Sequence, residues 1–400
     1  MPELLAPAGD FECVKAAFAY GADAVYLGGW LLQLRAKKAG FDEKTLIKAI
    51  EYAHERGKRI YVTLNSFARN DEIEAAGEYG KYLHDLGVDA FIISDLGVLT
   101  AVKSACPDME VHISTQANCQ NWKTAETYYN LGAKRVVLGR EMTLEDIAEL
   151  KQKVPKGLEI ECFVHGAMCM SYSGRCILSS YLNARSANRG ECTQPCRWKY
   201  QLVEETRPGI YMPIEEEDGF TSILSSHDLC MIDHLDELTE AGIDSFKIEG
   251  RMKTEYYVAT VVNAYRRAMD KLSSNDYCRA ELDTISHRPY ETGFYYGAVK
   301  HEHANDGINR ASCIFVGTVL ESRPGQITVC QRNKFSVGDE LEVLTPGEEF
   351  KKFTVTSIKN TEGESMQSAP NPKQTVILDC PLELKKDDML RRREETVWRS

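Results

Sequence analysis

Five of the thirteen cysteines fall at Cys169, Cys176, Cys192, Cys196 and Cys230, in a stretch rich in Ser, Asn, Gln and Arg that no apolar core would select. The intervening stretches are six, fifteen, three and thirty-three residues long, and Gly174 and Gly190 sit where the backbone must bend if the thiolates are to converge. Four converging thiolates suit an iron–sulfur cluster or zinc. Zinc is the weaker alternative, because its usual paired C-x2-C spacing does not occur here. Disulfides are not expected: no apolar signal stretch follows Met1, and 400 residues can fill a core without staples. Cys13, Cys106, Cys119, Cys162, Cys278, Cys313, Cys330 and Cys380 sit among apolar or strand-like neighbours and read as small buried hydrophobes.

Short β-rich runs alternate with amphipathic segments along most of the chain. The runs are Glu3–Pro7, Ala24–Gly28, Ile60–Asn65, Ala90–Asp95, Val111–Gln116, Arg135–Arg140, Glu159–His165 and Ser245–Glu249. Segments such as Glu43–Arg56, Asp71–Leu86 and Leu144–Lys153 carry apolar residues at three- and four-residue steps between them. A strand–helix unit repeated in this way predicts a TIM-like (β/α)8 barrel of α/β class, with the doubly wound open sheet as the weaker alternative. The expected organisation is a barrel over 1–272, interrupted after its seventh strand by a cysteine-rich insertion at 167–230. A connecting segment at 273–311 and a small β-barrel domain at 312–400 follow.

A barrel puts chemistry at the C-terminal ends of its strands, which here are polar. Period-two alternation turns Ile60, Val62 and Leu64 toward the helices and Thr63 and Asn65 toward the axis. The same rule turns Glu161 and His165 inward on the seventh strand and Lys247 and Glu249 inward on the last. With Asp95, Ser114, Gln116 and Glu141 they make a polar mouth beneath the cysteines. In this reading His165 is placed to pass a proton, Glu161 to orient it, and Glu249 shares their face. Lys247 and Arg251 hold the carboxylates of a small dianionic substrate, and Asn65, Gln116 and Glu141 contact substrate.

The formal charge of −12 opposes broad nucleic-acid binding, so any RNA contact must be local. The insertion offers one: Arg175, Arg185, Arg189, Arg197 and Lys199 stand against the single carboxylate of Glu191. The acidic 204–218 stretch reads as an exposed hairpin or loop, and Pro289–Tyr296 as an aromatic cluster able to stack on a base or pack a linker. No run approaches the length needed to cross a membrane, and a cytoplasmic location is expected.

Glu161–Cys176, Asn188–Tyr200 and Ser225–Cys230 resemble the signature blocks of the peptidase U32 family, and more narrowly its tRNA 5-hydroxyuridine branch. The likeness extends to Leu5–Gly9, Lys247–Lys253 and Ser286–Gly297 and so covers essentially the whole chain. The resemblance implies a 4Fe-4S cluster on Cys169, Cys176, Cys192 and Cys230, with Cys196, where some relatives carry a second cysteine, as the alternative fourth ligand. It further implies hydroxylation of C5 of a tRNA wobble uridine, without O2, with the oxygen drawn from prephenate or a derived compound. A paired homologue or a homo-oligomer is a possible partner. The runner-up is a collagenase-like peptidase, although the chain lacks H-E-x-x-H and G-x-S-x-G, leaving only His165 with Cys169 as a conceivable dyad. A non-catalytic RNA- or protein-binding scaffold with a structural cluster is the third reading.

Overall fold

The computed structural model describes residues 1–34, 40–169, 171–198, 202–203, 211–212, 227–297 and 308–399. Lys199 and most of the acidic 204–218 stretch lie outside the described residues.

Eight parallel strands close a barrel: β1 (Glu3–Pro7), β2 (Ala24–Gly28), β3 (Arg59–Leu64), β4 (Ala90–Ile93), β5 (Val111–Ile113), β6 (Arg135–Val137), β7 (Glu159–Ala167) and a last strand, Ser245–Ile248. The last strand pairs in parallel with both β7 and β1, and that double pairing closes the sheet. Each strand sorts its side chains by alternation. Ile60, Val62 and Leu64 enter the layer under the helices, while Leu5, Tyr26, Tyr61 and Ile92 form a separate cluster inside the barrel.

Around the strands lie α1 (Phe11–Ala19), α2 (Glu43–His54), α3 (Ile73–Asp85), α4 (Leu96–Ala105), α5 (Trp122–Asn130) and α6 (Leu144–Lys153). Most begin at an Asp, Asn or Thr that accepts a backbone N–H of the first turn. This assigns Asp95 to the N-cap of α4, where it accepts from Gly97 and Val98 rather than facing the mouth. The strands also stop earlier than their sequence pattern suggests, β5 at Ile113 and β6 at Val137, because Ser114 and its successors turn into loops. Asn65, Gln116, Arg140 and Glu249 therefore sit on loops just past strand ends.

The insertion carries α7 (Leu178–Asn183) and returns through a strand, Asp228–Cys230, antiparallel to β7. After α8 (Leu235–Glu240) and the last barrel strand, α9 (Glu255–Met269) is buried along nearly its whole length. The reason is that two bodies cover it, the barrel on one side and the C-terminal domain on the other. Gly347 N donates to Asn263 Oδ1 at 3.0 Å, and Arg332 pairs with Glu255 at 2.7 Å. The stretch expected to be irregular contains α10 (Asn275–Leu282) and a two-residue strand, Tyr290–Glu291, paired with Asp228–Cys230. The C-terminal domain is antiparallel β, its long strands Ile308–Arg323 and Met389–Arg399 side by side over a core of Val316, Val319, Val329, Leu341, Val376 and Leu378. Arg391, fully buried, joins the domains by pairing with Glu342 at 2.8 Å and with Glu281 of α10 at 2.7 Å. Among the described residues no helix is long and apolar enough to cross a membrane.

Candidate functional site

Two polar levels occupy the barrel. The lower one centres on Glu161, whose exposure is 0 %. Its carboxylate accepts from Lys247 Nζ at 2.7 Å, Arg135 Nη1 at 2.9 Å and Ser245 Oγ at 3.1 Å. Arg135 also reaches Glu3 at 2.6 Å and Glu159 at 2.8 Å. Burial works to raise the Glu161 carboxyl, but Lys247 and Arg135 win and hold it at about 2. Burial pushes the Lys247 ammonium down, against the opposing pull of Glu161. Glu161 and Lys247 do meet, but in the barrel interior and as each other's partners. Register explains the depth: Glu161 lies level with Ser245 and Glu3, the first residues of their strands. A cavity of about 520 Å³ opens at this same N-terminal end, lined by Glu3, Asp23, Arg59, Arg135, Asp244 and Arg266. Its arginines are already paired, Arg59 with Glu110 and Arg266 with Asp23, so it is the base of the ion network.

His165 does not face the mouth. Lys247 pairs with Phe163 but Ile248 pairs with His165, a β-bulge that slips the register by one residue at Val164. Phe163 faces inward with Glu161, as alternation requires, and the slip after it turns His165 out against α9. There it is 1 % exposed, its ring 5.5 Å from Tyr265, 5.4 Å from Tyr290 and 6.1 Å from Tyr257. Tyr265 Oη lies 3.5 Å from Nδ1. Burial, opposed by Asp228 and reinforced by His287 and Lys253, brings the imidazole down to about 3. A neutral imidazole walled in by tyrosines is not placed to shuttle protons for the mouth.

The upper level is the mouth itself. Arg251 donates to Thr63 Oγ1 at 2.9 Å, Gln33 Oε1 at 3.2 Å and the Leu34 carbonyl, so its donors are spent on stitching loops. Asn65 Nδ2 reaches Ser114 Oγ at 3.4 Å, while its Oδ1 is buried with no partner among the described residues. Glu249 is partly exposed, with Tyr26 Oη 3.5 Å away and Arg140 at 3.8 Å. Arg140 lies 3.9 Å from the Phe163 ring centroid and donates to the Ala167 carbonyl at 2.7 Å. Arg140 was legible as the residue that ends a β-rich run, but alternation alone gave it no role.

Several of these residues position the cysteine loop rather than a substrate. Glu141 accepts from Ser173 N at 2.7 Å, and the glycine at 174 lies so close to the Gln116 backbone that a Cβ would fall 2.1 Å from its carbonyl oxygen. Asp228 grips Arg288 at 2.7 and 2.9 Å, and Arg288 also donates to the Met168 carbonyl at 3.5 Å, beside Cys169. Arg189 forks onto Glu72 at 2.8 and 2.9 Å.

All described cysteines are free thiols. Burial raises the Cys196 thiol, and so do the neighbouring Cys169, Cys192 and Cys176, while Arg197 opposes. Cys192 Sγ accepts the Gln194 N–H at 3.4 Å. Cys169, Cys176 and Cys192 thus lie within electrostatic reach of Cys196. Cys230 is elsewhere: it is 4 % exposed, opposite His165 on β7, with Tyr265 Oη 3.9 Å from its sulfur. The Asp228–Cys230 strand returns along β7 and carries Cys230 behind the barrel wall, opposite His165. The soft sulfur donors Cys169, Cys176, Cys192 and Cys196 are of the type that would suit an iron–sulfur cluster or zinc. Among the described residues no three His, Cys, Asp or Glu side chains stand at metal-holding distance.

The model of peptidase family U32 matches residues 9–305, and that of the peptidase family U32 C-terminal domain matches residues 311–391. The chain belongs to peptidase family U32. It is 37 % identical to "tRNA hydroxylation protein P" of Escherichia coli over 96 % of this chain and 94 % of that one. It is 38 % identical to "tRNA hydroxylation protein P1" of Bacillus subtilis over 98 % and 94 %. A more distant member, the "23S rRNA 5-hydroxycytidine C2501 synthase" of Escherichia coli, is 32 % identical over 92 % of this chain and 56 % of that one.

Proposed function

We propose that this U32 protein is an RNA-modifying enzyme that hydroxylates C5 of a wobble uridine in tRNA. What supports the reading is a loop bearing Cys169, Cys176, Cys192 and Cys196 that Arg288–Asp228 and Glu141–Ser173 tie to the ends of the barrel strands. The names of the two full-length relatives give the reaction class and substrate. The finer reading is that oxygen comes from prephenate or a derived compound, without O2, and that Cys169, Cys176, Cys192 and Cys196 hold a 4Fe-4S cluster. Such a cluster supplies redox or Lewis-acid chemistry that side chains lack.

The chain's own residues have separable tasks. Asn65 Oδ1, buried and unpaired, is an acceptor for an N–H of the uracil or a hydroxyl of the donor. Glu249, the partly exposed carboxylate of the mouth, receives the proton released from C5. Lys247 and Arg251 are engaged, so the donor's carboxylates fall to Arg197 and Lys253, which make no ion pair among the described residues. Both lie within electrostatic reach of Asp228 and Arg288, the pair behind the cysteine loop.

The peptidase reading finds no dyad, since His165 is sealed behind β7 while Cys169 is exposed. The deciding experiment is nucleoside mass spectrometry of tRNA from cells with and without the gene. Loss of 5-hydroxyuridine derivatives, restored by the wild-type chain and not by Cys169→Ser, supports the reading. Unchanged nucleosides in the deletion strain overturn it.

A further inference from the structure

Apolar side chains left in water usually scatter singly over a surface. Here five of them crowd into one short stretch of the insertion: Tyr172, Ile177, Tyr181, Leu182 and Trp198, with Tyr181 83 % and Tyr172 63 % exposed. The stretch is a built body. α7 packs against the turn at Pro195–Arg197, Pro195 is buried, and Ser179 Oγ, Thr193 Oγ1 and Asn183 Nδ2 are hydrogen-bonded at 2.9 Å. Tyr181, on α7, and Trp198, at the end of that turn, are therefore presented on a firm support. In the same stretch stand Arg175 and Arg185, both exposed and without an ion pair among the described residues, on a chain whose net charge is −12.

We propose that this face of the insertion is a stacking platform for unpaired RNA nucleotides, with Tyr172, Tyr181 and Trp198 receiving bases and Arg175 and Arg185 receiving the flanking phosphates. The inference rests on the RNA-hydroxylation reading and adds where and how the RNA is held. Tyrosine and tryptophan keep a polar atom in water and offer a π-face to any base, so their exposure is tolerable without a partner and useful with one. Unpaired cations on an acidic protein concentrate the attraction for phosphate at one place and leave the rest repulsive. A base in a paired stem cannot offer its face, so the platform selects a loop, and the loop is where a wobble uridine lies.

The test uses the purified full-length chain and a fluorescein-labelled RNA hairpin whose unpaired loop contains uridine, against a fully paired RNA duplex of equal length, read by fluorescence anisotropy. The hairpin should bind more tightly than the duplex. Tyr181→Ala and Trp198→Ala should each weaken it roughly five- to hundred-fold, while Tyr181→Phe, which keeps the ring, should bind like the unaltered chain. Arg175→Gln and Arg185→Gln should each reduce the slope of log affinity against log salt by about 0.7. Equal binding of hairpin and duplex, or unchanged hairpin affinity in both alanine variants, overturns the platform. So does a sedimentation result in which those variants lose only self-association, which would make the face an interface between copies. The two readings fail separately. Ring-dependent binding by a chain whose deletion leaves tRNA nucleosides unchanged would keep the platform and sink the hydroxylase. Ring-independent binding with loss of 5-hydroxyuridine on deletion would do the reverse.

Discussion

The barrel floor and the cysteine loop use charge in opposite ways. On the floor Glu161, Lys247 and Arg135 are all but excluded from water and each finds its counter-charge within 3 Å. Among the described residues Arg197 and Lys253 make no ion pair: Arg197 donates to Gln194 Oε1 at 3.1 Å, and Lys253 donates to the Ser286 carbonyl at 3.1 Å and lies 5.0 Å from the Tyr257 ring centroid. A saturated charge has nothing left to offer a substrate, whereas one without a counter-charge does. The difference also separates the expected outcome of mutation, with stability at stake below and activity above.

The largest effect should come from breaking the floor. Glu161→Ala leaves Lys247 and Arg135 buried with an uncompensated charge, and a loss of about 3–5 kcal/mol is expected in urea unfolding. Glu161→Gln should show the titration behind it. The carboxyl is held at about 2 against an ordinary 4.5, so its stabilisation is complete above pH 4.5 and fades as pH falls toward 2. The Gln variant should lack that portion of the acid sensitivity. Equal acid profiles would mean that the floor is not held together by charge.

Next in size is the choice between Cys196 and Cys230. Cys196→Ser should lose most iron from anaerobically purified protein and abolish hydroxylation, while Cys230→Ser should keep both. The reverse pattern would restore Cys230 as the fourth ligand and require the Asp228–Cys230 strand to reorganise. A smaller effect is expected at the clamp behind the loop. Asp228→Asn weakens the hold on Arg288 and thus on Met168, and a misplacement of about 1 Å there should lower kcat on the order of 10²-fold. The KM for RNA should stay unchanged because Tyr181 and Trp198 are untouched. A rise in KM alone would place Asp228 in RNA binding instead.

Much of this was legible in the sequence, and the failures have physical causes. Eight β-rich runs alternating with helical segments favoured a barrel over an open sheet, and Thr63 and Asn65 make contacts at the mouth in keeping with alternation. Alternation assumes an unbroken register, so the single slip at Val164 reversed His165 while leaving Glu161 where it was expected. Depth failed for a related reason: parity says which face a residue takes, not how far along the axis it lies, and Glu161 is at the floor. Spacing also carries no trace of the antiparallel return along β7, a long-range pairing that sets Cys230 opposite His165. The Asp228–Arg288 clamp joins residues sixty apart with no local signal.

The smallest expected effect concerns His165, and it tests the boundary between the two regions most directly. Only the Val164 bulge keeps this imidazole from the mouth, and behind β7 it contacts tyrosines instead of substrate. Its value of about 3 makes it neutral throughout the working range, so it can neither donate a proton nor accept one with useful driving force. His165→Gln should therefore leave the pH profile of hydroxylation unchanged between about pH 6 and 8. Stability should respond. A histidine depressed from 6.5 to about 3 favours the folded state fully above pH 6.5 and loses that contribution as pH falls toward 3, since the unfolded chain takes up the proton first. The Gln variant should lose stability less steeply across that window, offset by about 1 kcal/mol from poorer packing against Tyr265 and Tyr290. A shifted activity profile with an unshifted acid-stability profile would put His165 back in the mouth and sink the bulge as the reason for its exclusion.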